Sequence, residues 1–130
     1  HLVFSTLHTN SASQTIDRII DTFPAEQQGQ VSSQLAAVLV GIISLRLIPK
    51  IDGGRVPACE IMITNPAIRN LIRERKTYQI DLVIETSSQE GMMTLNRSLS
   101  GLVKKKEISL ENAELYSLNP SELRILLERS

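Results

Sequence analysis

His1-Leu2-Val3-Phe4-Ser5-Thr6-Leu7-His8-Thr9-Asn10 runs directly into Ser11-Ala12-Ser13-Gln14-Thr15-Ile16-Asp17-Arg18-Ile19-Ile20-Asp21-Thr22-Phe23-Pro24. Residues 2–7 are mostly apolar or β-branched, which predicts one buried strand. Ile16, Ile19, Ile20 and Phe23 recur at i, i+3, i+4 and i+7, the apolar face of a helix. Ser11 and Gln14 form a capping-box pair at its start, and Pro24 marks its stop. A strand entering a helix through a short polar turn is the unit of a parallel α/β sheet, where ligands gather at the carboxyl ends of strands. His8, Thr9 and Asn10 fall at that end. His1 lies seven residues from His8, an odd separation that puts the two rings on opposite faces of a strand. His1 is therefore a secondary candidate, with a structural role.

Outward from this stretch, a second helix is expected from about residue 26 to 44. Val31, Leu35, Val38, Leu39 and Ile42 form its stripe, and further apolar residues around it predict burial on most sides. Gly41 inside that helix would mark close packing or a bend. A hairpin follows, with residues 45–50 and 56–63 flanking Asp52-Gly53-Gly54. Pro49 and Pro57 cannot donate to a ladder, so these strands belong at an edge. After Asn65-Pro66 the pattern is helical, with helices expected near 67–75, 78–86, 94–105, 110–116 and 120–129. A change of character near residues 64–66 divides the chain into 1–65 and 66–130.

Composition narrows the function. The chain has 130 residues, 42% of them hydrophobic, with 14 basic and 14 acidic side chains. A balanced charge gives no sign of a nucleic-acid partner or an anionic membrane surface. Aromatic residues make up 3%, too few for a base-stacking platform. The single cysteine, Cys59, excludes an internal disulfide and a multi-cysteine zinc site. No apolar run approaches the ~20 residues of a membrane helix. Asp17 and Asp21 stand one helical turn apart, and without a third ligand they read as a solvated face.

HLVFSTLHTN with RIIDTFPAEQQ, GIISLRLIPKIDGGR, Ala67-Ile68-Arg69-Asn70-Leu71-Ile72-Arg73-Glu74 and GMMTLNRSL resembles the secretion ATPase superfamily over nearly the whole chain. The opening stretch is similar to that superfamily's histidine box. The octet at 67–74 resembles a signature of its type IV pilus retraction branch. Cysteines of the zinc module usual in assembly and type II secretion ATPases are missing after Ser44, which also favours retraction. The resemblance implies an α/β fold: the C-terminal part of a RecA-like P-loop NTPase core, with one central strand and an edge hairpin, followed by an α-helical bundle. It implies a homohexameric motor ATPase that uses ATP and Mg, located in the cytoplasm at the pilus base and working with an inner-membrane platform protein. It implies neither nucleic-acid binding nor membrane insertion. His8 matches the histidine that reads the γ-phosphate. Arg69 and Arg73 would act at subunit or lobe interfaces.

The chain begins with His rather than Met and contains no GxxxxGK[ST]. The expectation is a C-terminal portion starting at the histidine box, inactive alone and without tightly bound nucleotide. Two other readings stay open. One is a pilus-assembly or type II secretion ATPase. The other is a non-catalytic oligomerisation module.

Overall fold

A computed structural model describes residues 1–129. Its elements are helices α1 (Ala12–Asp21) and α2 (Ala25–Val38), strands β1 (Gly41–Pro49) and β2 (Arg55–Ile63), and helices α3 (Pro66–Arg73), α4 (Ile80–Thr86), α5 (Leu95–Lys104), α6 (Leu110–Tyr116) and α7 (Pro120–Glu128). Short 3-10 turns at Thr77–Gln79 and Ser88–Glu90 bracket α4. This mixed α/β arrangement, a small hairpin followed by a helical bundle, is the fold class expected of the C-terminal part of a RecA-like ATPase.

The expected central strand at residues 2–7 does not form. Residues 1–8 are exposed and carry no regular structure. A strand completes its backbone hydrogen bonds only through a neighbour, and among the described residues none lies beside this segment. A helix closes its own, so α1 forms as predicted. Ser11 accepts from the Gln14 amide, and Ala12, Ile16 and Ile20 are buried. Gln14 Oε1 takes the Asn10 amide at 2.7 Å, one residue before the cap.

Helix α2 stops at Val38 rather than near residue 44, and residues 41–44 enter β1. The run Val40-Gly41-Ile42-Ile43 is β-branched on both sides of a glycine, a pattern that fits a pleated strand better than a helix. Gly41 is needed there: an added Cβ would lie 2.8 Å from the Met62 carbonyl oxygen of β2. Burial of α2 is one-sided, with Val38 exposed and Ser32 and Ala36 buried. The expectation of burial on most sides is corrected accordingly.

The hairpin is antiparallel, with Gly41 opposite Ile63 and Pro49 opposite Arg55. Gly53 and Gly54 take φ of 98° and 72° in its loop, angles that glycine adopts freely. Alternation sends Ile48, Ala58, Glu60 and Met62 inward and leaves Ile43, Leu45 and Leu47 exposed.

Two apolar clusters hold the chain together. One joins Ile16 and Ile20 of α1, Ala36 of α2, Met62 of β2, Ile68 and Ile72 of α3, and Ile80 and Ile84 of α4. The other joins Ile48 and Ala58 of the hairpin to Leu95 and Leu99 of α5, Ile108, Ala113 of α6 and Leu123 of α7. The hairpin contributes to both clusters and links them. Among the described residues no helix is long and apolar enough to cross a membrane.

Candidate functional site

His8 sits three residues before the helix cap Ser11 and two before Asn10, on an exposed segment. Three contacts hold the turn into α1. Thr9 Oγ1 meets Thr15 Oγ1 at 2.5 Å, with Thr15 also donating to the Ser11 carbonyl at 2.8 Å. Gln14 takes the Asn10 amide. Glu60 Oε1, reaching from β2, accepts the Ala12 amide at 2.6 Å. His8 thus stands in solvent immediately before a fixed helix N-terminus, where its imidazole can donate a hydrogen bond to an anion. His1 is exposed as well. Without a strand between them, the opposite-face argument for the two histidines loses its premise.

The segment 67–74 forms α3 and its C-cap. Asn65 caps it by accepting the Ile68 amide, and Pro66 occupies the first turn, where a missing N–H costs nothing. Ile68 and Ile72 are fully buried and Leu71 is half-buried, as the periodicity requires. Ala67 and Asn70 are exposed. Arg69 is half-buried, whereas Arg73 is exposed and donates to Asn70 Oδ1. Glu74 pairs with Lys76 at 3.5 Å. Arg73 and Asn70 thus lie on the solvent side of α3, with Arg69 partly covered. Helix α2 packs against both α1 and α3, so the His8 turn and the arginine helix rest on one shared core.

Two acidic side chains make long-range contacts that were not read from the sequence. Asp17, read as part of a solvated face, accepts from the hydroxyl of buried Thr77 at 2.7 Å and ties α1 to the turn before α4. Glu60 is the stronger omission. It is the only acid in either strand, and it lies between fully buried Ala58 and Met62 on the inward face. Alternation along β2 could have exposed it, since a carboxylate on an apolar face is the informative exception. Burial pushes its carboxyl above the usual range. The Ala12 hydrogen bond opposes that, Asp81 adds to it, and Arg46 opposes it. Glu60 also lines a cavity of about 470 Å³ together with Asp81, Glu85, Glu122, Asn96 and Tyr78. Loss of water contact raises the Asp81 carboxyl too.

Among the described residues, no three His, Cys, Asp or Glu side chains converge as a metal-ligand group. The opening segment carries two exposed imidazoles, His1 and His8. The loop amides, lysine and hydroxyl that cradle phosphates in such enzymes have no counterpart in this sequence. The donor set by itself does not fit ATP with magnesium.

The family described as Type II/IV secretion system protein matches residues 1–114. The chain is 58% identical over 113 residues to the type IV pilus retraction ATPase PilT of Pseudomonas aeruginosa, covering 87% of this chain and 33% of that protein. It is 46% identical over 124 residues to a twitching motility protein of Neisseria gonorrhoeae, covering 95% and 33%. A crystal structure of the pilus retraction motor PilT with bound ADP superposes with a TM-score of 0.84 at 50% identity, over 100% of this chain and 35% of that one. The chain thus spans about a third of the length of these relatives.

Proposed function

This chain belongs to the type II/IV secretion system protein family, and from that premise we propose that it is the C-terminal portion of a hexameric motor ATPase that powers type IV pilus retraction. Residues 1–65 would complete part of the ATPase core, and 66–130 would form a helical subdomain that starts with the arginine helix. ATP and magnesium would be held mostly by residues outside these 130. When bound, they supply the phosphoryl chemistry. The motor would sit in the cytoplasm at the pilus base against an inner-membrane platform protein.

Within this reading His8 donates an imidazole N–H to a terminal phosphate oxygen and so reports whether that group is present. Ile68 and Ile72 bind α3 to the core, while Arg69 and Arg73 meet carboxylate or phosphate on a neighbouring subunit or lobe. The observation that carries the reading is the exposed His8 set against an anchored helix start, in a chain that shares 58% of its aligned residues with a retraction ATPase.

The test is His8→Ala in the full-length protein carrying this segment. The expected outcome is a kcat lower by roughly a hundred-fold, the scale for losing one donor aimed at reacting charge. Unchanged hydrolysis would refute the role of His8. Titration calorimetry on the 130-residue chain is expected to show no ATP binding in the micromolar range, and micromolar binding would refute the assignment of the phosphate cradle to other residues.

A further inference from the structure

The contacts that shape the His8 turn differ in reach. Thr9 with Thr15, Asn10 with Gln14, and the Ser11 cap on Gln14 all close within a few residues of one another. They fix the form of the turn and leave its place in the molecule undetermined. The Glu60 bond to the Ala12 amide spans 48 positions of sequence and joins the turn to the hairpin. Ala12 is the first residue of α1, and its N–H has no partner within the helix. An acceptor carboxylate there gains from the charge and from the helix dipole.

Burying a carboxylate between Ala58 and Met62 is unfavourable unless something compensates. The role proposed for His8 makes no use of that carboxylate. Charged groups that act on it from other elements are Arg46 of β1 and Asp81 of α4, while Glu85 and Glu122 share its cavity wall.

We infer that Glu60 is a positioning residue: its carboxylate anchors the start of α1 to the hairpin and thereby sets where the His8 imidazole is presented. The inference rests on the γ-phosphate reading of His8 given above. Glu60 touches no substrate in this account and acts only through His8.

The experiment pairs kinetics with amide exchange. In the full-length protein carrying this segment, Glu60→Ala is expected to lower kcat roughly ten-fold with KM for ATP nearly unchanged, because a displaced group slows chemistry more than binding. Glu60→Gln keeps the size and an uncharged acceptor, so it falls between Glu60→Ala and the unaltered protein. Either Glu60 variant combined with His8→Ala is no slower than His8→Ala alone, since both act through one imidazole. In the 130-residue chain, Glu60→Ala speeds exchange of the Ala12 amide by roughly ten-fold while the amides of Ile72 and Leu99 keep their protection.

Faster Ala12 exchange with unchanged kcat would reduce Glu60 to a helix cap and overturn the inference. So would kinetic losses that multiply with those of His8→Ala. Should Glu60→Ala fail to fold, Glu60→Gln carries every arm of the test by itself. If His8→Ala leaves hydrolysis intact, the reading of His8 fails and this inference fails with it. Ala12 exchange then still decides, separately, whether Glu60 holds the turn.

Discussion

Residues 2–7 and helix α3 are both short and both carry several large apolar side chains, and they end in opposite states. Phe4 is 87% exposed, whereas Ile72 is 0% exposed. Hydrophobicity does not separate them, since Leu2, Val3, Phe4 and Leu7 match Ile68, Leu71 and Ile72 in apolar character. Backbone accounting does. Helix α3 satisfies its own peptide groups, and the Asn65 side chain supplies the acceptor needed at its start. Its apolar face is then free to join the core. An extended segment needs a second strand before burial becomes favourable. Apolar residues thus reach the interior only when their backbone is already provided for.

The sharpest way to break this comparison is to cut the same kind of side chain from each region. Ile72→Ala should destabilise the chain by about 2–5 kcal/mol, the range for a truncated core isoleucine. Phe4→Ala should change stability by less than about 0.5 kcal/mol, as for an exposed site without special contacts. Urea titrations of the two variants check this. A large loss in Phe4→Ala would mean that the arm packs in solution and that the contrast is false.

A smaller effect concerns the carboxylate beneath the arm's exit. Folding raises the Glu60 pKa, so the folded chain binds a proton there more readily than the unfolded chain. Its contribution to stability is fully present below the unfolded value, near 4.5, and is lost as pH rises through the raised folded value. Asp81 acts in the same direction. Glu114, held down by Arg124, acts in the opposite direction, but its partner is exposed and water screens the pair. The melting temperature should therefore rise as pH is lowered from neutrality toward 4.5. Glu60→Gln should lose part of that slope. A slope identical in Glu60→Gln would show that Glu60 titrates alike in both states.

This division explains how far the sequence could be read. Helices α1, α3, α5, α6 and α7 carry their own signals in Ser11, Asn65, Thr94, Ser109 and Asn119, each of which caps as an acceptor. Gly53 and Gly54 announced the hairpin by local geometry alone. Among the expectations that failed, one depended on something non-local. A strand at 2–7 required a neighbour. The end of α2 was misplaced although the β-branched run 40–43 favours a strand locally; the close approach of Gly41 to the Met62 carbonyl is what the sequence did not show. In the candidate site, His8 and the octet at 67–74 were legible as a resemblance. Glu60 was legible only as an acid on the inward face of β2; its partner, the Ala12 amide 48 positions away, was not.

The finest test compares how self-contained helices stop. Helix α3 ends with Arg75 at φ 61°, where Lys76 N donates to Leu71 O at 2.9 Å and Arg75 N to Ile72 O at 3.1 Å. Helix α5 ends alike, with Lys106 at φ 62°, Glu107 N donating to Leu102 O at 3.0 Å and Lys106 N to Val103 O at 2.9 Å. Both are left-handed stops of the kind glycine fills without steric cost, yet each is built on a long basic side chain. Lys106 is exposed, so Lys106→Gly should stabilise the chain by up to about 1 kcal/mol through relief of the Cβ clash. Arg75 also donates to Gln28 of α2 at 3.1 Å, so Arg75→Gly should gain less. Thermal melts of the two variants measure the difference. Equal gains would mean that the Arg75–Gln28 bond adds nothing and that α3 is as independent of its surroundings as its backbone alone implies.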